Sequence, residues 1–225
     1  MGLSKEALER EVGRHSWHHS IQLPHGVVTP GAKTLEVMSN EYDNTFGPID
    51  LNGKTVLDVG AWSGAFSVEA ARRGAAKVTA LDYFVWQNKL TKQAFDMVTR
   101  ESGYQIDTIE QDLDEPRLDL SKYGKFDVIL FLGVFYHLRD PIAALREIAL
   151  VTRDVLVLET YIETTLPEHP PAMMFYPGAE LRGDPTNWWG PNISCVKELL
   201  TMSGFKKVDV AKGSAYNRYV FHAYP

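Results

Sequence analysis

The sequence predicts a doubly wound α/β sheet of seven strands that finishes in an antiparallel hairpin. Three observations carry this. From residue 54 onward, short apolar runs alternate with helical periodicity, the pattern of parallel strands joined by covering helices. The first run turns through glycines, "VLDVGAWSGAFS" (56–67), into a helix-like segment. The last two runs, "FKKVDVAK" (205–212) and "NRYVFHAY" (217–224), are separated only by "GSAY". That is too short for a helical crossover, so they pair antiparallel.

Taken in order, residues 1–49 read as a helical and irregular segment and residues 50–225 as the main domain. Strands are expected over "KTVLDV" (54–59), "AKVTALD" (76–82), "IDTIEQD" (106–112), "FDVILFL" (126–132) and "DVLVLET" (154–160). Most are continuous apolar runs, as parallel strands covered on both faces require. Over 85–102, Trp86, Leu90, Ala94, Met97 and Val98 fall on one helical stripe. In 140–151, Asp140 is an N-cap and Pro141 is pre-shaped for the first turn. Residues 161–191 form an irregular insertion rich in Pro, Met and aromatic residues, among them Phe175, Tyr176, Trp188 and Trp189. A loop of this length in a compact domain is functional or disordered, and its aromatics argue against disorder. It is expected to be a lid over the acceptor pocket. A helix at 194–203, closed by Gly204, precedes the hairpin.

Composition narrows the function. With 44% hydrophobic and 23% charged residues, the chain reads as an ordinary globular protein. A net charge of −6 predicts no general affinity for nucleic acid or acidic membranes. The single cysteine, Cys195, excludes an internal disulfide and a cysteine-cluster metal site, which fits a cytoplasmic location. The N-terminus carries charges throughout and no apolar core, so it is not a secretory signal, and no run reaches the ~18 apolar residues of a membrane span.

Two templates compete for the glycine turn. The dinucleotide fingerprint G-x-G-x-x-G finds only Gly60, so a nicotinamide-dependent oxidoreductase is disfavoured. The pattern [D/E]-x-G-x-G-x-G resembles that of the class I S-adenosylmethionine-dependent methyltransferases. It is met at Asp58, Gly60 and Gly64 and missed only at Trp62. Two further strand-end carboxylates agree with it. Asp82 is placed to accept a ribose diol, for which a carboxylate has enough acceptor sites. Asp112 is placed near an adenine amino group, with Leu113 as apolar neighbour to the ring. The resemblance implies a Rossmann-like sheet and S-adenosyl-L-methionine as cofactor. No metal is expected, because the adjacent side chains of His18 and His19 diverge and no carboxylate or cysteine lies at ligand spacing.

A narrower resemblance lies in "FDVILFLGVFYHLRDP" (126–141) followed by "LVLET" (156–160). It is similar to the bacterial tRNA uridine carboxymethyltransferases, which use carboxy-S-adenosylmethionine. Shared residues are Gly133, Tyr136, His137, Arg139 and Pro141, and the likeness extends weakly to "WHHSIQLPHGVVTPG" (17–31). It implies that Tyr136 and Arg218 bind the extra carboxylate and that the N-terminal segment folds over the pocket. The family's lysine does not carry over, because its neighbourhood reads Trp17-His18-His19-Ser20. The long extension preceding the catalytic domain in those enzymes is not matched either. Plain methyl transfer to O or N of a small molecule from a natural-product or saccharide pathway therefore ranks first. Carboxymethyl transfer to a tRNA wobble uridine ranks second, and a catalytically silent adenosyl-binding protein third.

Methyl transfer needs positioning, and a base where the nucleophile carries a proton. Histidine suits that task near neutral pH. His137, just past the fourth strand, and His18 or His19 are the candidates, with Tyr136 beside them. Glu159 ends the fifth strand and faces the acceptor side, where it is expected to bind a hydroxyl or amine together with Tyr176, Trp188, Trp189 and Arg218.

Overall fold

The computed structural model describes residues 2–225, which fall into two compact units divided between Asp112 and Leu113. In the first unit the elements are α1 (Lys5–Val12), α2 (Leu35–Phe46), β1 (Thr55–Val59), α3 (Ala65–Arg72), β2 (Lys77–Asp82), α4 (Lys89–Ser102) and β3 (Ile106–Glu110). The three strands are parallel, in the order β3-β2-β1, with Asp58 opposite Ala80 and Asp82 opposite Glu110. Side-chain caps start the helices: the Ser4, Thr34 and Asn88 oxygens accept from the backbone N–H of Ala7, Val37 and Leu90, satisfying groups a helix start leaves orphaned. Leu8, Val12, Trp17, Ile21, Leu23, Val27 and Met38 share a core with Ala65 and Val68 of α3 and with Ala94, Met97 and Val98 of α4. The N-terminal segment is thus packed on the helices that follow the glycine turn.

One feature of the predicted stripe over 85–102 is corrected. Trp86, Ala94, Met97 and Val98 are buried, but Leu90 is 54% exposed. The segment is two pieces, a 3-10 turn at Val85–Gln87 and then α4, broken where Asn88 takes an extended conformation as N-cap. The break resets the helical phase, so Leu90 leaves the stripe that Trp86 begins. β3 also departs from a continuous apolar run. It is partly exposed along its length, as an edge strand can be.

In the second unit come β4 (Phe126–Leu132), α5 (Pro141–Val151), β5 (Thr152–Tyr161), β6 (Met173–Phe175), β7 (Trp189–Pro191), α6 (Ile193–Met202), β8 (Lys207–Lys212) and β9 (Arg218–Tyr224). The main strands run β4-β5-β9-β8. β4 and β5 are parallel, while β9 lies antiparallel to both β5 and β8. Val128 to Phe131, Val155 to Leu158, Val220 and Phe221 form a buried sheet centre. Asp140 caps α5 by accepting from Ala143 N–H, and Asn192 caps α6 by accepting from Cys195 N–H. Together with β1 to β3, these strands are those of a seven-stranded doubly wound α/β sheet with an antiparallel end, the fold the sequence predicts. The insertion is more regular than expected: β6 and β7 form a small antiparallel pair with Phe175 opposite Trp189.

Candidate functional site

In the first unit the site grows from the end of β1. Asp58 is buried and accepts from Ser67 Oγ at 2.5 Å. Burial, joined by the nearby charge of Asp82 and opposed by the Ser67 hydrogen bond, pushes its carboxyl up to about 7. Asp82 is also buried, and desolvation raises its proton affinity against backbone hydrogen bonds that lower it. Two buried carboxylates side by side favour a cationic ligand.

The turn between β1 and α3 explains the odd tryptophan. Gly60 and Gly64 sit at φ 79° and 85°, conformations glycine adopts without penalty. At Gly64 a Cβ would lie 3.1 Å from the Phe95 ring of α4, so a side chain there would force that ring to shift by a few tenths of an ångström. Trp62 takes the same left-handed region, φ 49°, as an L-residue, at a cost of roughly 1–3 kcal/mol. Its surroundings hold it there. The Trp62 N–H donates to Asp82 Oδ2 at 2.9 Å, and the Trp62 carbonyl accepts from Trp86 Nε1 at 2.8 Å. The indole stacks on His18, with centroids 4.8 Å apart and planes 13° apart.

His18 and His19 are delivered by a tightly bonded strap. Ser20 N–H donates to Lys33 O and Lys33 N–H to His18 O, each at 2.9 Å. Thr29 Oγ1 donates to His19 O at 2.9 Å. A Cβ at Gly31 would fall 2.2 Å from the His19 backbone, so that crossing needs glycine. His19 meets the edges of Trp62 and Phe66, and burial holds its imidazole well below the ordinary histidine value. Its Nδ1 and the hydroxyl of Ser63 on the glycine turn are buried without a hydrogen-bond partner in the protein. Such orphaned buried atoms fit a polar ligand that would satisfy them. Asp112 lies half-buried two residues after β3, closing the unit.

In the second unit the site gathers at the ends of β4, β5 and β9. Tyr161 of β5 opposes Arg218 of β9, which brings the Arg218 side chain inward to Glu159. The guanidinium binds the carboxylate through two nitrogens, Nε to Oε1 and Nη2 to Oε2, the latter at 2.5 Å. It also lies over the Tyr136 ring, 4.7 Å from the centroid. Gly133 sits beside them at φ 71°, a left-handed turn that favours glycine; a Cβ there would be in ordinary contact with Arg218 Nη2, the Tyr136 hydroxyl and Glu159 Oε2, at 3.4 to 3.8 Å. Burial raises the Tyr136 hydroxyl's proton affinity, opposed chiefly by Arg218, so the phenol stays protonated. His137 is held below its ordinary value, first by burial. Its ring packs 4.3 Å from that of Tyr136.

The insertion is fastened to these residues. Trp188 N–H donates to Tyr136 O at 2.8 Å, and Trp189 Nε1 donates to Leu138 O at 2.9 Å. Phe175 and Trp188 are stacked, 6° from parallel, with Phe175 52% exposed. Tyr176, expected on the acceptor, gives its hydroxyl to Glu163. Glu163 also accepts from the Tyr161 hydroxyl and from the backbone and hydroxyl of Thr165. Leu113 is buried and lines a cleft of about 480 Å³ with Asp114, Ala143 and Arg146. Sequence reasoning missed Ser63, Trp86, Glu163 and the pair Asp184 and Thr186. Asp184-Pro185-Thr186 is legible as a turn, but nothing local says what the turn faces. Among the described residues no group of three or more His, Cys, Asp or Glu is placed to hold a metal, and no helix is long and apolar enough to cross a membrane.

The doubly wound sheet, the glycine turn opened by a buried acid and the second acid at the end of β2 mark an S-adenosylmethionine-dependent methyltransferase. The chain belongs to the methyltransferase-domain family, whose sequence model matches residues 35–206. It is similar to the tRNA U34 carboxymethyltransferases of Idiomarina loihiensis and of Campylobacter jejuni subsp. jejuni. Identity is 26% and 28%, over 72% of this chain in both cases and over 48% and 52% of those proteins. The chain thus spans about half the length of the curated relatives it matches. Among solved structures it is similar to the N-terminal domain of EvdMO1, crystallised in the presence of S-adenosylhomocysteine and D-fucose. The TM-score is 0.69 at 19% identity, over 99% of this chain and 96% of that one. The magnesium protoporphyrin IX methyltransferase of Synechocystis with bound S-adenosylhomocysteine gives 0.58 at 21% identity, over 78% and 75%.

Proposed function

We propose that the protein methylates a hydroxyl group of a small polyhydroxylated acceptor, a saccharide or a saccharide-bearing natural product. The observation that carries this reading is the two-pronged Glu159–Arg218 pair. A carboxylated cofactor needs surplus positive charge, and here the arginine's charge is already matched by the half-buried Glu159 carboxylate. The lysine that the tRNA enzymes would add is replaced by Trp17-His18-His19, with His18 flat on Trp62. The net charge of −6 also sits poorly with an RNA acceptor. The D-fucose in the EvdMO1 structure supports a sugar, as do the aromatic faces of Phe175 and Trp188 in the insertion, which suit a ring-shaped acceptor.

The cofactor supplies an electrophilic methyl group on a sulfonium. In this reading Asp82 accepts from its ribose diol and Asp112 from its adenine amino group. Asp58, Gly60, Trp62 and Gly64 shape the turn, and His18 and His19 wall it. Leu113 and Gly133 are assigned to the cofactor by resemblance alone. Residues 161–191 act as the acceptor lid.

A second reading, carboxymethyl transfer to tRNA, is favoured by the named relatives and by the Arg218–Tyr136 contact. The test is transfer to D-fucose from labelled S-adenosylmethionine in competition with its carboxylated form, in wild type, Arg218→Ala and Glu159→Gln. Equal or better use of the plain cofactor is expected. A preference for the carboxylated form that disappears in Arg218→Ala overturns the first reading in favour of the second.

A further inference from the structure

His137 lies on the 3-10 turn Phe135–His137 just past β4, and its ring is held by the insertion. Nδ1 is 3.0 Å from the Thr186 carbonyl oxygen and 3.1 Å from Thr186 Oγ1. A carbonyl can only accept. The hydroxyl has one proton, and it is committed elsewhere: Thr186 Oγ1 donates to Asp184 Oδ1 at 2.7 Å. The same carboxylate oxygen takes the Thr186 N–H at 2.9 Å. Both neighbours of Nδ1 therefore present lone pairs, and Nδ1 must carry the hydrogen. A neutral imidazole has one N–H, so the free lone pair falls on Nε2.

We propose that Asp184 and Thr186 are positioning residues that fix His137 in the Nδ1–H tautomer and leave Nε2 as the general base for the acceptor. This rests on the reading of a hydroxyl acceptor. As the acceptor oxygen bonds the methyl carbon, the electrons of the carbon–sulfur bond leave with sulfur, and the hydroxyl proton passes to Nε2. The imidazolium that results is stabilised by the Asp184 carboxylate behind Thr186, the logic of an acid–histidine pair in acyl transfer. The charged groups facing His137 are Asp184, which favours its protonation, and Arg218, which opposes it and is itself bound by Glu159. Burial keeps the ring neutral near pH 7. Trp188 and Trp189 clamp the insertion on either side of the histidine, through Tyr136 O and Leu138 O. The insertion is then part of the catalytic apparatus as well as a cover.

The test uses the full chain labelled with ¹⁵N-histidine, the His137 ring signals being assigned by their loss in His137→Gln. At pH 8 Nδ1 should resonate as the protonated nitrogen and Nε2 as the bare one. Asp184→Asn, which removes charge and keeps shape, should lower the His137 titration midpoint by about half a pH unit or more. Thr186→Val should shift it the same way, and Thr186→Ser should restore it. S-adenosylhomocysteine affinity, unchanged in all three, shows that the variants fold. An Nε2–H tautomer in the wild type, or a midpoint unmoved in both Asp184→Asn and Thr186→Val, overturns the proposal. In a second arm, the acidic limb of kcat/KM for D-fucose should follow the same midpoint in wild type and Asp184→Asn. A limb that ignores it removes the base role. No transfer to D-fucose at all counts against the saccharide reading alone, and the ring nitrogens still decide the proposal.

Discussion

At the scale of single residues, the buried acid that opens the glycine turn has a measurable signature. Asp58 holds its proton up to about pH 7 in the folded protein, against an ordinary value of 3.8. Between those values the folded state binds more protons than the unfolded one, so stability falls as pH rises through that window. The Asp58 contribution is complete below about pH 4 and gone above about pH 7. Urea denaturation of the ligand-free protein from pH 5 to 8 should show this decline, and Asp58→Asn should flatten it. An equal slope in both proteins would place the proton elsewhere. Asp58, Gly60, Gly64 and Asp82 were legible because strand ends and left-handed turns restrict residue type locally. The Trp62–His18 stack was not legible, since it joins a turn to a distant strap whose path depends on Gly31 and Thr29. Thr186 was invisible for the same reason: its partner, His137, lies on another loop.

At the scale of elements, the insertion is fixed at its base by one carboxylate. Glu163 is buried and accepts from two tyrosines and from both donors of Thr165. These bonds, working against desolvation, bring its carboxyl down to about 2. Its contribution to stability is present above about pH 4.5 and lost as pH falls through 2, opposite in sign to that of Asp58. Gly190 completes the anchor, for a Cβ there would lie 2.9 Å from the Tyr176 ring and 3.1 Å from Glu163. Glu163→Ala should cost about 1–3 kcal/mol and speed proteolytic cleavage within 161–191, leaving S-adenosylhomocysteine affinity unchanged. Cleavage at the wild-type rate would mean that β6 and β7 hold the insertion without it. The strands, α5 and the hairpin were predictable from periodicity and turn length. The insertion was not, because its order comes from a buried cluster rather than from any repeating pattern.

At the scale of the whole molecule, cofactor binding should register as added thermal stability. S-adenosylhomocysteine at a hundred times its Kd adds about 2.7 kcal/mol, which in a domain of this size raises Tm by roughly 5–10 °C. Asp82→Asn should need a much higher concentration for the same shift, as its hydrogen bonds to a diol are weakened. Equal shifts at equal concentration would remove Asp82 from the cofactor site.

The strand order has a consequence in time. β9 lies between β5 and β8, yet it follows both in the chain, and its partner residue for Tyr161 is Arg218. At a synthesis rate of about 5–20 residues per second, the 57 residues separating them (218 − 161) take roughly 3–11 s to appear. Through that interval the antiparallel edge of β5, with Glu159 on it, stands open on the ribosome. The arginine that neutralises Glu159 arrives on the strand that closes this edge, so charge compensation and sheet completion are one event during biosynthesis.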